Sequence, residues 1–454
     1  MGLVAELRTV LGDAGVLTDP DVTRTYSRDM MPLAPSGQPL AVVLPESREQ
    51  VQAVVRACAA ASTPIVPRGA GSGLAGGANA VDGGVVLVTT KLDRIIEMDA
   101  DNRLAVVEPG VVNDDLRRAA GKHDLYYPPD PSSSDWCTIG GNVATNAGGL
   151  CCVKYGVTAD FVLGLEVVLA DGELLRTGRR TVKGVAGYDL TSLFVGSEGT
   201  LGVITQATLA LRPAPQAPAT IVATFATTAA AGRAVTNVVR RGLTPSLLEI
   251  MDRQSVRAVE AYLHTDLDAD GALLLAQSDS GDAAEADVLR QVFADAGATL
   301  THATTDLDEG RTLLAARRAV PPALERLGPA LTDDVCVPRS RIAEFIDGCE
   351  RIREECGLVI AVFGHAGDGN MHPKIIYAED DVPRARAAFA AILELALSLG
   401  GTITGEHGVG RLKQEWLARE LGPVGVRTHH AIKAALDPAG LFNPGAALPR
   451  ERSS

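Results

Sequence analysis

The stretch PRGAGSGLAGGA, residues 67–78, places five glycines within twelve residues. It directly follows TPIVP, a short apolar run that predicts a β-strand. Successive glycine amides after a strand can close around an anion, which is the chemistry of a phosphate cradle. The spacing of Gly69, Gly71 and Gly73 differs from the Rossmann fingerprint, and no Walker lysine follows. Taken alone, the stretch is as consistent with a plain glycine loop as with a cofactor loop.

Two further clusters of small residues follow along the chain. YYPPDPSSSDWCTIGGNVATNAGG, residues 126–149, would let the backbone approach a flat ligand closely. A loop of this length inside a compact domain is uncommon unless it is functional. In GYDLTSLFVGSEGTLGVIT, residues 187–205, Glu198 and Gly199 form a predicted tight turn before a strand. The three clusters together predict a site built from backbone rather than from large side chains.

The regions around the clusters show ordinary local signals. Ser47 is a predicted helix cap, and Gln50 completes a capping box before an apolar face. The segment FVLGLEVVLADGELLRTG predicts two strands joined at Asp171-Gly172. Pro213 and Pro215 mark a domain boundary at the end of a last strand. This half of the chain therefore alternates helices and strands around the clusters.

Beyond that boundary the pattern predicts an antiparallel sheet with helices on one face. Ser340 is the predicted cap of a helix in SRIAEFIDGCERIREECG. The segments VIAVFGH and MHPKIIY read as two strands joined by a turn at residues 366–370. Their facing ends are expected to bring His365 and His372 together. A final helix is expected to stop at Asp437.

Bulk composition limits the classes of function. The 454 residues suffice for two or three domains, and 46% hydrophobic with 22% charged residues is typical of a globular protein. A net charge of -14 argues against nucleic acid as a partner. No signal peptide and no membrane-spanning run are expected. The seven cysteines include no C-x-x-C pair, which argues against an iron–sulfur cluster or a disulfide framework.

The two histidines of FGHAGDGNMHPKI, residues 363–375, suggest a metal site. A third donor, Glu406, stands in GGTITGEHGVG with His407 beside it. Two imidazoles and one carboxylate are a common ligand set for a catalytic divalent metal. Without other support, a lone histidine is more often an ordinary surface or core residue.

The three clusters, in this order and spacing, resemble the flavin-binding domain of the vanillyl-alcohol oxidase superfamily. The stretches around residues 363–375 and 400–410 resemble the FAD-linked 2-hydroxy-acid dehydrogenases, a group that includes the glycolate oxidase catalytic subunit, D-lactate dehydrogenases and D-2-hydroxyglutarate dehydrogenase. The resemblance runs from about residue 36 to residues 443–445. It implies an α+β fold, in which a PCMH-type FAD-binding domain of two α+β subdomains precedes a C-terminal FAD-linked oxidase domain with an antiparallel sheet and helices.

The resemblance also implies a set of cofactor-binding residues. The pyrophosphate of FAD is expected on the loop of residues 68–74 in the first glycine cluster. Glu198, Gly199 and Ile204 are expected on the adenosine side. Some relatives attach the flavin covalently through a histidine, but the matching position here is Ser72, so non-covalent FAD is expected. The complete set is Pro67, Arg68, Gly69, Ala70, Gly71, Ser72, Gly73, Leu74, Asp130, Pro131, Ser132, Thr138, Ile139, Gly140, Gly141, Asn146, Gly149, Glu198, Gly199, Ile204 and Asn443.

For catalysis, the resemblance implies His365, His372 and Glu406 as metal ligands and His407 as the base. Zn²⁺ is the first choice of metal, with Mn²⁺ or Fe²⁺ as alternatives. A guanidinium suits the substrate carboxylate. Arg317 is the candidate for that contact, Arg318 is its competitor, and Lys374 is a further candidate for a substrate-facing side chain.

The predicted domains are an N-terminal arm (1–35), the FAD-binding domain (36–213), a substrate domain with the metal site (214–410) and a helical segment returning to the FAD domain (411–454). The expected reaction is oxidation of a D-2-hydroxy acid, D-lactate or glycolate, by hydride transfer to flavin N5. Electrons are expected to pass to a separate acceptor: a quinone, an electron-transfer flavoprotein or an iron–sulfur subunit. A cytoplasmic location is expected, with membrane association only through a partner. The sequence is compatible with a homodimer but does not determine the oligomeric state.

Three alternatives remain at this stage. D-2-hydroxyglutarate is the alternative substrate, for which Lys374 would supply a second cationic contact. A flavin-independent metallohydrolase would use the two histidines and Glu406 but leave the glycine clusters without a role. A non-catalytic FAD-binding subunit would retain the clusters, but the presence of both histidines together with Glu406 and His407 argues against it.

Overall fold

The computed structural model describes residues 2–264 and 270–449. Its helices are α1 (Leu3–Leu11), α2 (Pro20–Arg24), α3 (Arg48–Ala60), α4 (Asn113–Gly121), α5 (Ile139–Thr145), α6 (Cys152–Tyr155), α7 (Leu190–Phe194), α8 (Thr228–Arg240), α9 (Arg253–Leu263), α10 (Ala283–Asp295), α11 (Leu307–Arg318), α12 (Val320–Glu325), α13 (Ile342–Cys356), α14 (Val382–Ser398) and α15 (Gln414–Leu436). Helix α15 is broken at Gly422, where φ is 66° and Pro423 follows. None of the described helices is both long and apolar enough to cross a membrane.

The strands of the described residues are β1 (Val16–Leu17), β2 (Ala41–Val43), β3 (Ile65–Arg68), β4 (Val85–Val88), β5 (Ile95–Asp99), β6 (Leu104–Val107), β7 (Leu125–Tyr126), β8 (Val162–Val168), β9 (Leu174–Gly178), β10 (Val203–Ala210), β11 (Arg212–Pro213), β12 (Ala219–Phe225), β13 (Leu247–Met251), β14 (Ala272–Ser278), β15 (Leu300–Thr304), β16 (Ala330–Thr332), β17 (Val335–Cys336), β18 (Val359–His365) and β19 (Asn370–Ile376).

The chain divides into two compact units. Of the described residues, 2–148, 157–214 and 406–449 form unit 1, and 149–156, 215–264 and 270–405 form unit 2. The described part of the arm, residues 2–35, and residues 411–449 are therefore both parts of unit 1. Residues 149–156, which we expected in the flavin domain, belong to unit 2, where Lys154 and Tyr155 both bind Asp279.

Unit 1 is built on two main sheets. In the first, of order β1-β2-β4-β3, strands β2, β4 and β3 run parallel. The second is antiparallel, of order β5-β6-β10-β8-β9, and contains the predicted hairpin at Asp171-Gly172. A separate two-stranded pairing joins β11 and β7. Two α+β subdomains are thus present, as the fold prediction requires.

Helix α3 shows how the sequence produces the core of the first subdomain. Ser47 Oγ accepts the amide proton of Gln50, and Gln50 Oε1 accepts that of Glu46. This arrangement satisfies amides that the helix itself leaves unpaired. The apolar face of α3, led by Val51 and Val54, then packs in the core with residues of β2, β3 and β4. The cap and the face together fix the start of β3, which leads into the glycine loop.

Unit 2 contains an eight-stranded antiparallel sheet of order β15-β12-β14-β13-β18-β19-β16, in which β17 also pairs with β19. The prediction that helices cover one face is wrong. Consecutive residues of β12, β13 and β19 are all buried, and consecutive side chains of a strand point to opposite faces. Helices therefore cover both faces. On one face, alternate strand residues pack with α9 and α12, and α13 and α14 also contact the sheet, at β18 and β19.

One predicted cap is also wrong. Ser340 lies in a short 3₁₀ turn, Arg339–Arg341, and helix α13 begins after it without a side-chain cap. The 3₁₀ turn pairs the first amides more tightly, so the hydroxyl is not needed there. The predicted end of the last helix at Asp437 is confirmed, since α15 ends at Leu436.

Candidate functional site

In unit 1 the first glycine cluster leaves β3 and folds tightly against the second cluster. A Cβ on Gly69 would stand 2.4 Å from Thr138 Oγ1. Gly71 has a φ of +85°, and its missing side chain leaves the space that the Arg68 guanidinium fills. Burial lowers the pKa of Arg68, while the charge of Asp29 opposes that shift. The loop therefore combines close backbone approach with one buried cation.

The second cluster forms helix α5 and the turn before it. Thr138 caps this helix, because its Oγ1 accepts the amide proton of Gly141 at 3.4 Å. A Cβ on Gly140 would stand 2.5 Å from the Cβ of Pro109. Residues 69–71 and 138–141 can therefore lie side by side only because their glycines lack side chains.

The third cluster joins the first through Glu198. This residue lies in a turn with a φ of +52° and is 8% exposed. Its Oε1 accepts the amide proton of Val409 and its Oε2 that of Gly410, both at 2.8 Å. Burial raises the pKa of Glu198 to about 7, although these two amides lower it. Glu198 thus ties the third cluster to the turn that follows Glu406 and His407.

These pieces enclose one cavity within unit 1. It is lined by Asp29, residues 67–75, Gly77, Ala78, Thr89, Pro109, residues 131–133, Thr138, residues 140–142, Ala144, Thr145, Ala147, Gly148, residues 197–199, residues 202–204, Glu406 and His407. The lining includes all of the residues predicted from the first loop, together with Pro131, Ser132, Thr138, Gly140, Gly141, Glu198, Gly199 and Ile204.

The remaining predicted cofactor residues do not line this cavity. Ile139 is fully buried in the core. Asn146 ends α5 in a left-handed conformation, and its side-chain oxygen accepts the amide proton of Ala159. Asn443 donates to the carbonyl oxygens of Gly77 and Glu198, so it supports the cavity wall from behind.

Two further residues of that set also lie apart from the lining. Asp130 precedes the lining residues Pro131 and Ser132, and Gly149 belongs to unit 2. Conversely, sequence reasoning missed Asp29 altogether. Its only sequence signal is its position in the N-terminal arm, which carries no glycine cluster. The other missed residues are mostly neighbours of predicted ones, so the clusters already contained their signal.

In unit 2 the antiparallel register places a second group of polar residues on one face. Glu249 on β13 pairs with His365 on β18, and Phe363 on β18 pairs with His372 on β19. The period of two along a strand then directs all four side chains to the same face. The two imidazole rings lie 5.1 Å apart between centroids. The structure thus brings His365 and His372 together, as the sequence predicts.

Glu249 fixes the orientation of one of these rings. Its Oε1 lies 2.7 Å from His365 Nδ1, which directs the Nε2 atom of that ring away from Glu249. A carboxylate behind a histidine in this way is the usual support of a metal-ligating imidazole. Burial by itself would raise the pKa of Glu249. The charges of His365 and Arg317 outweigh burial and lower it.

Arg317 from α11 completes this arrangement. Its Nη2 lies 2.7 Å from Glu249 Oε2, and its guanidinium stacks over the Phe363 ring at 4.9 Å. Arg317 is 5% exposed, whereas Arg318 is exposed. Arg317 Nε is buried and has no hydrogen-bond partner among the residues described. The structure therefore distinguishes the two candidate arginines: Arg317 is buried in an ion pair, and Arg318 lies at the surface.

The other side of the histidine pair contains Asp334, which the sequence did not single out. Its Oδ1 lies 3.7 Å from His372 Nδ1 and accepts a hydrogen bond from Asn370 at 2.7 Å. Its Oδ2 accepts the hydroxyl proton of Thr404 and the amide proton of Gly405. This fully buried carboxylate thus joins Asn370, at the start of β19, to residues 404 and 405.

Lys374 lies two residues beyond His372 on the same face of β19. Its ammonium lies 2.6 Å from Glu325 Oε1, and its side chain is 5% exposed while that of Glu325 is 60% exposed. The predicted cation is therefore present in unit 2, but it is already paired.

A glycine-built cavity with a buried cation in one unit, and a histidine-rich face on an antiparallel sheet in the other, define a flavin-dependent oxidoreductase of two domains. The missing Cβ atoms and the cation fit a flat dinucleotide with an anionic pyrophosphate. Residues 39–178 match the FAD binding domain family, and residues 214–447 match the family described as FAD linked oxidases, C-terminal domain. The chain belongs to the FAD-linked oxidases of the vanillyl-alcohol oxidase superfamily and is an FAD-dependent oxidoreductase.

Curated relatives span nearly the whole chain. Glycolate oxidase subunit GlcD of Bacillus subtilis is 41% identical over 92% of this chain and 91% of its own length. The Escherichia coli subunit of the same name is 40% identical over 91% and 84%. A D-lactate dehydrogenase of Anaerostipes hadrus is 35% identical over 97% and 95%.

Solved structures agree on the fold. p-Cresol methylhydroxylase with substrate bound aligns with a TM-score of 0.81 at 23% identity, covering 100% of this chain and 97% of its own. 4-Ethylphenol oxidase from Gulosibacter chungangensis aligns with a TM-score of 0.79 at 22% identity, covering 99% and 97%. At these identities the likeness supports the fold alone.

Proposed function

We propose that this protein is a dehydrogenase that oxidises a small D-2-hydroxy acid, of the D-lactate or glycolate type, to the 2-oxo acid. Relatives named glycolate oxidase subunit and D-lactate dehydrogenase support this substrate class. The observation that carries the proposal is the position of His407, which lines the same cavity as the glycine loop in unit 1. An acid–base side chain at the wall of a flavin cavity is what oxidation of a hydroxyl group needs.

In this proposal each side chain has a defined task. FAD, when bound, supplies the two-electron chemistry by accepting hydride at N5. His407 takes the hydroxyl proton, because imidazole titrates near neutral pH. Arg317 binds the substrate carboxylate. Its Nη2 is used by Glu249, but its buried Nε has no partner among the described residues, and a buried donor left in that state is costly. An acceptor from the substrate would satisfy it.

We further propose a divalent metal, Zn²⁺ first and Mn²⁺ or Fe²⁺ next, that polarises the substrate hydroxyl. Within unit 2, His365 and His372 are close and His365 is oriented by Glu249, which fits the donor set. Glu406 as third ligand rests on the family resemblance.

The metal assignment is tested by elemental analysis of purified His372→Ala. Metal content is expected to fall with activity, whereas His302→Ala, an exposed histidine paired with Glu309, is expected to retain both. Full metal retention in His372→Ala would remove that residue from the ligand set.

The flavin is proposed to be non-covalent, since Ser72 occupies the position at which some relatives carry a linking histidine. Acid precipitation should release all yellow colour into the supernatant. Flavin remaining in the pellet would contradict non-covalent binding.

The substrate is identified by anaerobic mixing of the holoprotein with D-lactate, L-lactate, glycolate and D-2-hydroxyglutarate while oxidised-flavin absorbance is followed. Bleaching by D-lactate or glycolate is expected. Bleaching only by D-2-hydroxyglutarate would favour the alternative in which Lys374 contacts a second carboxylate. Glycolate and lactate differ by one methyl group, which a pocket discriminates by about 1–3 kcal/mol.

The same experiment separates the other classes of function. A flavin spectrum that none of the four acids bleaches would point to another substrate or to a non-catalytic FAD-binding subunit. No flavin spectrum after reconstitution would point to the metallohydrolase, which leaves the cavity of unit 1 without a role.

A further inference from the structure

The segment between β1 and β2 of unit 1 lies against the glycine loop, residues 67–78. The amide of Met30 donates to the carbonyl oxygen of Gly73 at 2.9 Å, and the amide of Asp29 donates to Asn79 Oδ1 at 2.7 Å. The amide of Ala80 donates to the carbonyl oxygen of Ser27 at 3.0 Å. These bonds hold residues 27–30 against the middle of the loop and against the two residues that follow it, and they fix the position of Asp29.

The two oxygens of Asp29 have different environments. Oδ1 accepts the amide proton of Met31 at 3.0 Å. Oδ2 is buried and has no hydrogen-bond partner within the described chain, yet Asp29 lines the flavin cavity. A Cβ on Gly73 would stand 3.2 Å from Oδ2, so the glycine spares this oxygen a tight contact. A buried acceptor without a donor costs about 1–3 kcal/mol, which a bound ligand would recover.

The surrounding charges indicate what kind of donor fits. Burial raises the pKa of Asp29 to about 6, while the amide of Met31, the nearby amides of Gly76 and Ala78 and the charge of Arg68 oppose the rise. Among the described residues, only the amide of Met31 forms a hydrogen bond with the carboxylate; those of Gly76 and Ala78 act on it without forming a hydrogen bond to Oδ2. The charge of Asp29 in turn raises the pKa of Glu198. Directly at Asp29 Oδ2, as opposed to the part of the loop beside Arg68, an anionic group such as pyrophosphate would be repelled by these two carboxyl groups. The neutral donors of FAD that suit a carboxylate are its hydroxyl groups.

We propose that Asp29 is a cofactor-binding residue whose Oδ2 accepts a hydrogen bond from a ribose hydroxyl of the adenosine half of FAD. Its electrostatic coupling to Glu198, which is expected on the adenosine side, favours the ribose over the ribityl chain of the flavin half. Asp29 precedes the part of the chain, residues 39–178, that matches the FAD binding domain family. The arm before that domain is thus a part of the cofactor site.

The test uses full-length apoprotein and measures the affinity of ADP by competition with FAD, and that of FMN directly, through flavin fluorescence. Asp29→Asn keeps an acceptor for the amide of Met31 but places an NH₂ group at Oδ2. A hydrogen bond to a charged group contributes about 1.5–3 kcal/mol, so ADP affinity is expected to fall by about 10- to 100-fold. FMN, which lacks the adenosine half, should bind unchanged. Asp19→Asn is the matched control, because Asp19 only caps α2 in the same arm and its replacement should change neither affinity.

A second measurement needs no variant. Wild-type protein should bind 2′-deoxy-ADP or 3′-deoxy-ADP about 10-fold or more weakly than ADP, and Asp29→Asn should lose that discrimination. Equal binding of ADP and both deoxy analogues by the wild type would overturn the proposal. A loss of FMN affinity with unchanged ADP affinity in Asp29→Asn would also overturn it, since the contact would then lie in the flavin half.

Discussion

Arg317 and Arg318 are neighbours in the sequence and identical in chemistry, yet they occupy opposite environments. Arg317 pairs with fully buried Glu249 and stacks over Phe363, while Arg318 is exposed at the end of α11. A buried ion pair depends on both partners, because removing one leaves an uncompensated charge in a medium that solvates it poorly. The guanidinium proposed to bind the substrate carboxylate is therefore also one half of a buried ion pair.

Replacing Arg317 by Met is expected to lower the free energy of unfolding by about 3 kcal/mol or more, because Glu249 would lose its cation. Arg318→Met is expected to change it by no more than about 0.5 kcal/mol. Urea unfolding followed by far-UV circular dichroism measures both. Equal effects would contradict the assignment of Arg317 as the buried partner.

His407→Ala is expected to leave FAD bound but to slow reduction of the flavin by the hydroxy acid about 10²-fold or more, because no base would remain for the hydroxyl proton. Rapid-mixing absorbance spectroscopy gives the rate. His429→Ala, an exposed histidine in α15, is the control and should reduce normally. Near-normal reduction in His407→Ala would remove it from the role of base.

At the scale of elements, two turns hold the cavity of unit 1 together. The glycine loop and the turn at residues 408–410 approach so closely that a Cβ on Gly410 would stand 2.0 Å from the carbonyl oxygen of Ala75. The amide of Arg411 donates to that same oxygen at 2.9 Å, and the Gly410 amide donates to Glu198. Within unit 1, hydrogen bonds therefore join the glycine loop, the turn at Glu198 and residues 409–411 into one assembly.

Gly410→Ala tests this close approach against a matched control, Gly83→Ala. Both glycines have a positive φ, but a Cβ on Gly83 meets nothing within 4 Å. Both variants should carry backbone strain of about 1 kcal/mol. Gly410→Ala should lose about 1–3 kcal/mol more through overlap, and should bind FAD more weakly. Thermal unfolding and FAD titration measure the two effects, and identical behaviour of the variants would refute the steric argument.

At the start of α9, one carboxyl group makes a testable contribution to the free energy of unfolding. Asp252 accepts the amide protons of Ser255 at 2.8 Å and of Val362 at 2.9 Å, so it caps the helix and joins it to β18. Burial raises the pKa of Asp252 to about 6, although these hydrogen bonds lower it. Because the folded pKa lies above the unfolded value of about 3.9, folding retains a proton that the unfolded chain releases.

The stabilisation linked to that proton is complete below about pH 4 and is lost as the pH rises through 6. The free energy of unfolding of the wild type relative to Asp252→Asn should therefore fall by about 2–3 kcal/mol between pH 4 and pH 7. Urea unfolding of both proteins across that range measures the difference. A difference independent of pH would show that Asp252 titrates normally.

At the scale of the whole molecule, the seven cysteines of the sequence lack a C-x-x-C pair, which argues against an iron–sulfur cluster in this chain. We propose that the reduced flavin passes its electrons to a separate acceptor molecule. We expect the substrate-reduced protein to reoxidise slowly in air and rapidly with a soluble quinone analogue, as stopped-flow flavin absorbance would show. Faster reoxidation by oxygen than by quinone would make the protein an oxidase instead.

The sequence by itself determined the features that depend on local conformation. The glycine clusters marked the cavity because a positive φ or a missing Cβ is a property of one residue. Ser47 and Gln50 marked the start of α3, and Asp171-Gly172 marked a hairpin, because caps and tight turns span only a few residues. His365 and His372 were recognisable because one short turn joins their strands.

Only the tertiary structure decided which distant residues meet. Glu249 pairs with Arg317 and His365, Glu198 accepts the amide protons of residues 409 and 410, and Asp29 lines the cavity. Each of these contacts joins positions that are far apart in the chain. Residues 149–156 likewise belong to unit 2, where Lys154 and Tyr155 bind the distant carboxylate of Asp279. Periodicity reports which face of an element is apolar, but not which partner covers it. That choice depends on packing and charge compensation across the folded chain.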